Sequence, residues 1–523
     1  MTTPARHWKR ILAGLLSSAV AVTACAAGPV TAGPADPALV RTDQGVVRGT
    51  VHPGLRSFQG IPYAAPPGRW ASPQPPANWA GVHDATRPGP ACAQPVGLPV
   101  GVPSEEEDCL HLNVTTPATE GEDLPVVVWI HGGSMMFGTG DMYGPNRLAA
   151  DAVVVSMNYR LGVMAFLTDP ALDAGTRYGS GSLALEDQQA ALRWVRANID
   201  AFGGDAGNVT IMGQSGGGYA VCDHLASPMS AGLFDRAIIQ SAPCATGGTR
   251  TRAEAEADSA GVIAAVGCTD AADVAACLRS DRTTVAELLE AYGPWGEPRP
   301  VSGTALLPLS PAEAFRTGRF HRVPVLVGVN HDEENGRYAG MEIAPGGAPI
   351  PAGAYEPMLR EQYGPDADAV LARYPLSDYD GSAGLALATI GTDRSWASPT
   401  FDTAKLLSRW TRTYMFEFAE EDTPWFVGYP EPSFAWRAQH MAELAYLFDM
   451  ALFAPRTHAQ ELLADRLIRT WTRFADRGDP NGHHDEWPAF TPRRPYVQSL
   501  TSGRWTATGF TRDHEHAFWS SLR

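Results

Sequence analysis

Five consecutive residues, Gly213-Gln214-Ser215-Gly216-Gly217, carry the strongest chemical signal in a chain of 523 residues. They follow a short apolar run at 209–212 and precede a helix-compatible stretch at 219–226. A serine on such a strand-to-helix turn is held in a strained backbone conformation with its hydroxyl exposed, and glycines on either side remove Cβ atoms that would clash there. That hydroxyl is a weak nucleophile near neutral pH. It needs a base to take its proton and donors to hold the charge that develops on an attacked carbonyl oxygen. His131-Gly132-Gly133-Ser134, at the end of the apolar run 126–130, offers such donors. With the Gly216 amide, the N–H groups of Gly133 and Ser134 form a candidate oxyanion hole, so the expected chemistry is acyl transfer through Ser215.

These residues need a scaffold. Apolar runs without alternation at 126–130, 153–156, 209–212, 237–239, 323–329 and 414–418 read as strands covered on both faces, as in a largely parallel sheet flanked by helices. A helix is expected over 183–201: Leu185, Ala191, Leu192, Val195 and Ile199 share one face, and Glu186, Asp187, Arg193 and Arg196 are expected to face water. The alternation of strand and helix gives an α/β class. No repeat, low-complexity linker or composition shift appears after residue 37, so one catalytic domain with long loop and helical insertions is expected over 34–523.

The chain resembles the type-B carboxylesterase and lipase family of α/β-hydrolases, as a bacterial secreted member. The resemblance runs from Gln44-Gly45-Val46-Val47-Arg48-Gly49 through Phe58-Gln59-Gly60-Ile61-Pro62-Tyr63-Ala64, Glu107-Asp108-Cys109-Leu110 and Asn158-Tyr159-Arg160-Leu161-Gly162. It continues in Phe202-Gly203-Gly204-Asp205-Ala206-Gly207-Asn208 before the serine turn and in Gly478-Asp479-Pro480-Asn481 near the C-terminus. It implies an α/β-hydrolase fold and a Ser-Glu-His triad in the order Ser215, Glu333, His440. The acid falls in Asn330-His331-Asp332-Glu333-Glu334, with Glu334 the competing position, and the base in His440-Met441-Ala442-Glu443-Leu444. His440 then takes the Ser215 proton while Glu333 fixes its tautomer. Asp205 and Glu443 are read as structural, hydrogen-bonding loops near the serine turn and behind the histidine. His331 and His224 lie near this chemistry by sequence alone, and His483-His484 reads as a solvated turn.

The implied activity is hydrolysis of neutral carboxylic esters through an acyl-enzyme, with small-molecule substrates and no metal or cofactor. A lipase, or a hydrolase of a specialised ester, amide or carbamate, would use the same residues; a non-catalytic adhesion member is the alternative from another class. Gln214 stands where many relatives have Glu, Ser134 replaces a third glycine, and the stretch between Cys92 and Cys109 has no Trp to face a quaternary ammonium. These departures argue against a cholinesterase.

The formal net charge of −17 excludes a surface built for phosphate backbones or anionic lipid. Arg6, Lys9 and Arg10 precede an apolar run of about a dozen residues, the pattern of a signal peptide over 1–33 and of a secreted protein. Val22-Thr23-Ala24-Cys25 also fits a lipoprotein signal, which would anchor the chain by lipid at Cys25; the alternative is cleavage near Ala26 or Ala32. Export permits disulfides, and two pairs are close enough in sequence to propose, Cys92 with Cys109 and Cys268 with Cys277. Cys222 and Cys244 are expected as buried thiols.

Overall fold

The computed structural model describes residues 36–96, 101–118, 123–293, 298–482 and 486–522. The expected leader, Cys25 and His483-His484 lie outside the described residues. Ten strands form the main sheet: β1 (Thr50–His52), β2 (Leu55–Pro62), β3 (His111–Pro117), β4 (Leu124–Ile130), β5 (Val153–Met157), β6 (Gly204–Gln214), β7 (Arg236–Gln240), β8 (Val325–Asn330), β9 (Thr413–Phe418) and β10 (Val497–Leu500). Their spatial order is β10-β9-β8-β7-β6-β4-β5-β3-β2-β1. Every pair from β5 through β4 and β6 to β10 is parallel, whereas β3 joins β5 antiparallel and is followed by β2 and β1, also antiparallel. The six expected strands are therefore six of the seven in the parallel block; its last strand, β10, and the antiparallel edge were not anticipated.

Burial on both faces explains the missing alternation. Val126, Val128 and Ile130 enter one core cluster while Val127 and Trp129 of the same strand enter the other. Val325 and Val327 likewise part from Leu326, and Ala237 and Ile239 from Ile238. A strand with apolar neighbours above and below has no polar face to show.

The expected helix 183–201 is α1 (Leu183–Asn198), continued by a 3-10 turn, Ile199–Phe202, and stopped at Gly203 with φ of +89°. Its apolar stripe is buried as the spacing requires, but Glu186 and Asp187 do not face water. Asp187 is fully buried and holds the Arg160 guanidinium, Nε at 2.8 Å and Nη2 at 2.6 Å, while Arg160 Nη1 donates to Ala71 O at 2.8 Å. Arg160 thus ties the loop after β5 to α1. Removing one member of such a pair strands a buried charge, at about 3–5 kcal/mol.

Three disulfides are present. Cys92–Cys109 and Cys268–Cys277 are the two local pairs, and the third joins Cys222 to Cys244 across 22 residues. The expectation of two buried thiols is thereby corrected. Cys222 lies on α2 (Gly216–Ala226), and the chain returns through β7 to a 3-10 turn, Cys244–Thr246, so the intervening strand brings together cysteines that looked unpaired along the sequence. Among the described residues no helix is long and apolar enough to cross a membrane.

Candidate active site

The C-terminal ends of four parallel strands supply most of the site, where parallel α/β sheets place their ligands. Ser215 follows β6, the loop Gly132–Gly133–Ser134 follows β4, Ser241 follows β7 and Glu333 follows β8. Ser215 adopts φ +55° and ψ −123°, a region that costs a non-glycine residue roughly 1–3 kcal/mol, and α2 begins at the next residue. The turn is possible only because of what is missing beside it: a Cβ on Gly217 would lie 1.9 Å from Ile130 O.

The same close approach sets the candidate oxyanion hole. A Cβ on Gly216 would stand 3.2 Å from Ser134 N and 3.0 Å from Met135 N, so the loop after β4 presents its amides directly to the serine turn. Gly133 has φ of +102°, with Phe137 O occupying the place of its side chain, and Ser134 and Met135 also take positive φ, +55° and +57°. Met136 N and Phe137 N close the loop by donating to Gly133 O at 2.9 and 3.1 Å. His131 belongs to the frame rather than the opening: it is fully buried, its ring stacks on Tyr159 at 4.4 Å, and burial lowers its pKa to about 4.

Glu333 and His440 meet although 107 residues separate them. His440 Nδ1 donates to Glu333 Oε2, and His440 N donates to Glu333 O at 3.1 Å. The other carboxylate oxygen, Oε1, accepts from Asn330 N at 2.8 Å and from Ser241 Oγ at 2.5 Å. Three donors therefore satisfy a carboxylate that is 1% exposed. Burial alone would lower the pKa of His440, but the Glu333 charge and hydrogen bond, with Glu443 and Glu334 further off, raise it above the ordinary value. Behind the histidine, Glu443 accepts from Gln240 Nε2 at 3.0 Å and Asn330 Nδ2 at 2.6 Å, and burial pushes its pKa up to about 7. Gln214 Nε2 donates to His440 O at 2.7 Å, which fixes the His440 backbone without adding a charge beside Ser215.

Glu334 does not compete for the histidine. Its Oε1 accepts from Trp396 Nε1 at 2.7 Å, its Oε2 pairs with Arg337 Nη1 at 3.1 Å, and the Trp396 ring lies 4.5 Å from that of His440. Ser241, Asn330 and Trp396 were not foreseen. Ser241 and Asn330 had a faint signal in ending two expected strands, whereas Trp396 had none. Asp205 accepts from Gly207 N at 2.6 Å within its own loop at the far end of β6, not near the serine turn as expected. His224 is buried between Ser230 Oγ and Gln188 Oε1. His331, Glu417 and His514 place potential ligand atoms within 4.8 Å of one another. Both ring nitrogens of His514 are nevertheless committed, to Asp393 at 2.7 Å and Glu417 at 2.6 Å, and these bonds overcome burial to hold its pKa up to about 10.

Two cavities open from Ser215. One, of about 1000 Å³, runs past Gly216 and Tyr219, and the other, of about 630 Å³, runs past His440, Phe137, Trp425 and Phe426. In histidine-ring NMR, His440 is expected to titrate above 6.5. Glu333→Gln removes the anion that favours the imidazolium and leaves burial dominant, so the titration falls below 6.5; Glu334→Gln moves it down by less. An unchanged His440 titration in Glu333→Gln would refute the pairing.

The "Carboxylesterase family" profile matches residues 36–519. Curated relatives include a cocaine esterase of Oryctolagus cuniculus, 34% identical over 503 residues covering 87% of this chain and 91% of the relative. A para-nitrobenzyl esterase of Bacillus subtilis (strain 168) is 32% identical over 479 residues, covering 86% and 92%. A fumonisin B1 esterase of Sphingopyxis macrogoltabida is 34% identical over 523 residues, covering 94% and 92%. A solved PNB esterase superposes with a TM-score of 0.75 at 29% identity, over 92% of this chain and 100% of that one. The chain therefore belongs to the carboxylesterase family and is an ester hydrolase on an α/β-hydrolase fold.

Proposed function

We propose that Ser215, His440 and Glu333 are the nucleophile, base and acid of this ester hydrolase, with the amides of Gly133, Ser134 and Gly216 as the oxyanion hole. The observation that carries this reading is the buried Glu333–His440 hydrogen bond in a site where His440 and Ser215 line one cavity. Ser215 Oγ attacks the ester carbonyl as His440 Nε2 takes its proton. The carbonyl oxygen gains charge beside three backbone amides that need no reorganisation. The imidazolium then protonates the alcohol oxygen, the alcohol leaves, and water, deprotonated by His440, releases the acid from Ser215. Glu333 holds its proton-accepting partner in one tautomer throughout and stabilises the imidazolium.

The alcohol-side preference is for uncharged groups. Trp425 lines the cavity beside His440, and Trp396 packs on His440 itself, so aromatic faces do stand near the site. Arg337 lines both cavities, however, and no carboxylate stands at position 214, which disfavours a quaternary ammonium. We further infer export directed by residues 1–33, with a lipid anchor at Cys25 as the alternative. The basic start and apolar run support a leader, and three disulfides suit an oxidising compartment.

Ser215→Ala should lower ester turnover by about 10⁴–10⁶-fold without unfolding the protein, and an organophosphonate should label the native protein at one residue. A label mapped by mass spectrometry to any residue but Ser215 overturns the assignment. At physiological salt, a neutral aryl or short alkyl ester should exceed the choline ester of the same acyl group in kcat/KM. A cation–π site of about 0.5–2 kcal/mol would reverse that order by a factor of about two to thirty. Mass spectrometry of the exported protein should find a free N-terminus near residues 26–34, a lipidated Cys25 supports the anchored form, and an intact Met1 at the cell exterior sinks both.

A further inference from the structure

Glu333 and Glu334 are neighbours with different partners. Glu333 takes the Nδ1 of His440, whereas Glu334 turns to the segment 391–396 and meets it at three points. Glu334 N donates to Thr392 Oγ1 at 3.1 Å, Glu334 Oε1 accepts from Trp396 Nε1 at 2.7 Å, and a Cβ on Gly391 would lie 2.9 Å from Glu334 Cγ. The second carboxylate oxygen pairs with Arg337, whose side chain is 69% exposed, so solvent screens that pair. The indole is therefore the partner of weight for a carboxylate only 11% exposed.

The segment that carries this indole is anchored a second time. Asp393 Oδ2 accepts from the Tyr374 hydroxyl at 2.8 Å and its Oδ1 pairs with His514 Nδ1 at 2.7 Å, where carboxylate and imidazole are each 2% exposed. Trp519 Nε1 donates to the same Tyr374 hydroxyl at 2.7 Å. With its backbone held there and its N–H held by Glu334, the Trp396 ring stands 4.5 Å from the His440 ring, the two planes 51° apart. The bond to Glu333 fixes only one nitrogen of that imidazole. A ring held at one atom can still tilt about it, and a tilt that swings Nε2 off Ser215 costs proton transfer its geometry.

We propose that Glu334 and Trp396 are positioning residues for His440: the carboxylate fixes the indole, and the indole keeps the imidazole from tilting away from Ser215. Two successive residues of the loop after β8 then act on one histidine by different routes, Glu333 at its Nδ1 and Glu334 at its ring through Trp396. This rests on the assignment of Ser215 and His440 made above. Glu334 and Trp396 also line the larger cavity, so the opposing account is that they only shape its wall. The two accounts part in kinetics. A wall acts on binding and in proportion to what it touches, whereas a misaligned His440 slows every ester alike, because acylation and deacylation both pass through it.

The test uses p-nitrophenyl acetate, butyrate and hexanoate, with rates counted per site that an organophosphonate labels to completion, so that unfolded chains do not enter. Trp396→Leu should lower kcat by about ten- to a hundredfold, by the same factor for each ester and with KM little changed. Trp396→Phe, which keeps a ring but loses the N–H, should lose less. Glu334→Gln and Glu334→Ala both remove the charge, and only the first keeps an acceptor for the indole. The Gln variant should therefore exceed the Ala variant in kcat by about three- to tenfold, and that lead should vanish when both are made in a Trp396→Phe background. A loss that falls on KM, or that grows or reverses with acyl length, overturns the positioning role in favour of a cavity wall. Equal kcat in the two Glu334 variants, or a lead that survives in the Trp396→Phe background, overturns the link from Glu334 through the indole. Failure of the underlying assignment reads differently: His440→Ala would then retain turnover.

Discussion

The contact between Gly217 and Ile130 O is the constraint on which the site depends. Two parallel strands, β4 and β6, end side by side, and the turn after β6 can fold back over the end of β4 only if the residue facing Ile130 O has no side chain. That approach places the serine turn against the loop that follows β4. Ser215 and the amides of the Gly133–Ser134 loop are consequently not two features that happen to be near each other, because one steric condition brings both together. The strain at Ser215, Ser134, Met135 and Ser241, all with positive φ, gathers around this junction. Buried strands with no polar face hold such backbone in place, since neighbouring parallel strands would have to separate before any of these residues could relax.

The Glu333–His440 pair depends on register in the same sheet. Ser241 N donates to Gly328 O at 2.9 Å, which sets the end of β7 beside the end of β8, and the Ser241 hydroxyl then reaches Glu333. Asn330, the last residue of β8, gives its backbone N–H to Glu333 and its side-chain amide to Gln439 O and Glu443. One strand end therefore grips both Glu333 and the long loop that carries His440. Three donors satisfy the buried carboxylate, and in low dielectric its hydrogen bond to the His440 ring is stronger than it would be in water.

What could be read along the chain and what could not divide along the range of the interactions. The parallel strands were legible because two-sided burial suppresses alternation within each one, and Ser215 and Gly133 because steric limits on a tight turn act on adjacent residues. Glu333 and His440 carry no local pattern that distinguishes them from Glu334 or His331, and only the resemblance to a family singled them out. The burial of Glu186 and Asp187 defeated the helical-face argument, which treats charge as a reason for exposure; Arg160, in the loop after β5, supplied the partner that makes the burial of Asp187 tolerable. Cys222 and Cys244 failed for a related reason, since spacing along the chain ignores a strand that runs out and back between them. Strands β1 to β3 are antiparallel and interleave polar with apolar residues, so they lack the unbroken apolar run by which the others were found.

The walls of the site were the least legible part, and the turn Thr392–Ala397 shows why. It is a π-helical segment between two α-helices, a wide turn common at functional positions, and successive residues around it face in several directions. Thr392 Oγ1 accepts from Glu334 N at 3.1 Å, Asp393 is buried against His514 and Tyr374, Arg394 lines the larger cavity, and Trp396 closes on His440. In a regular α-helix, residues three or four apart share a face, so one face would be committed to core and another to solvent. Widening the turn breaks that rule and lets six residues serve a core tether, a cavity charge and a wall for the base at once. No periodicity survives such an arrangement. The same departure that makes the segment unreadable in sequence lets it join His440, through Trp396, to a guanidinium that lines the larger cavity.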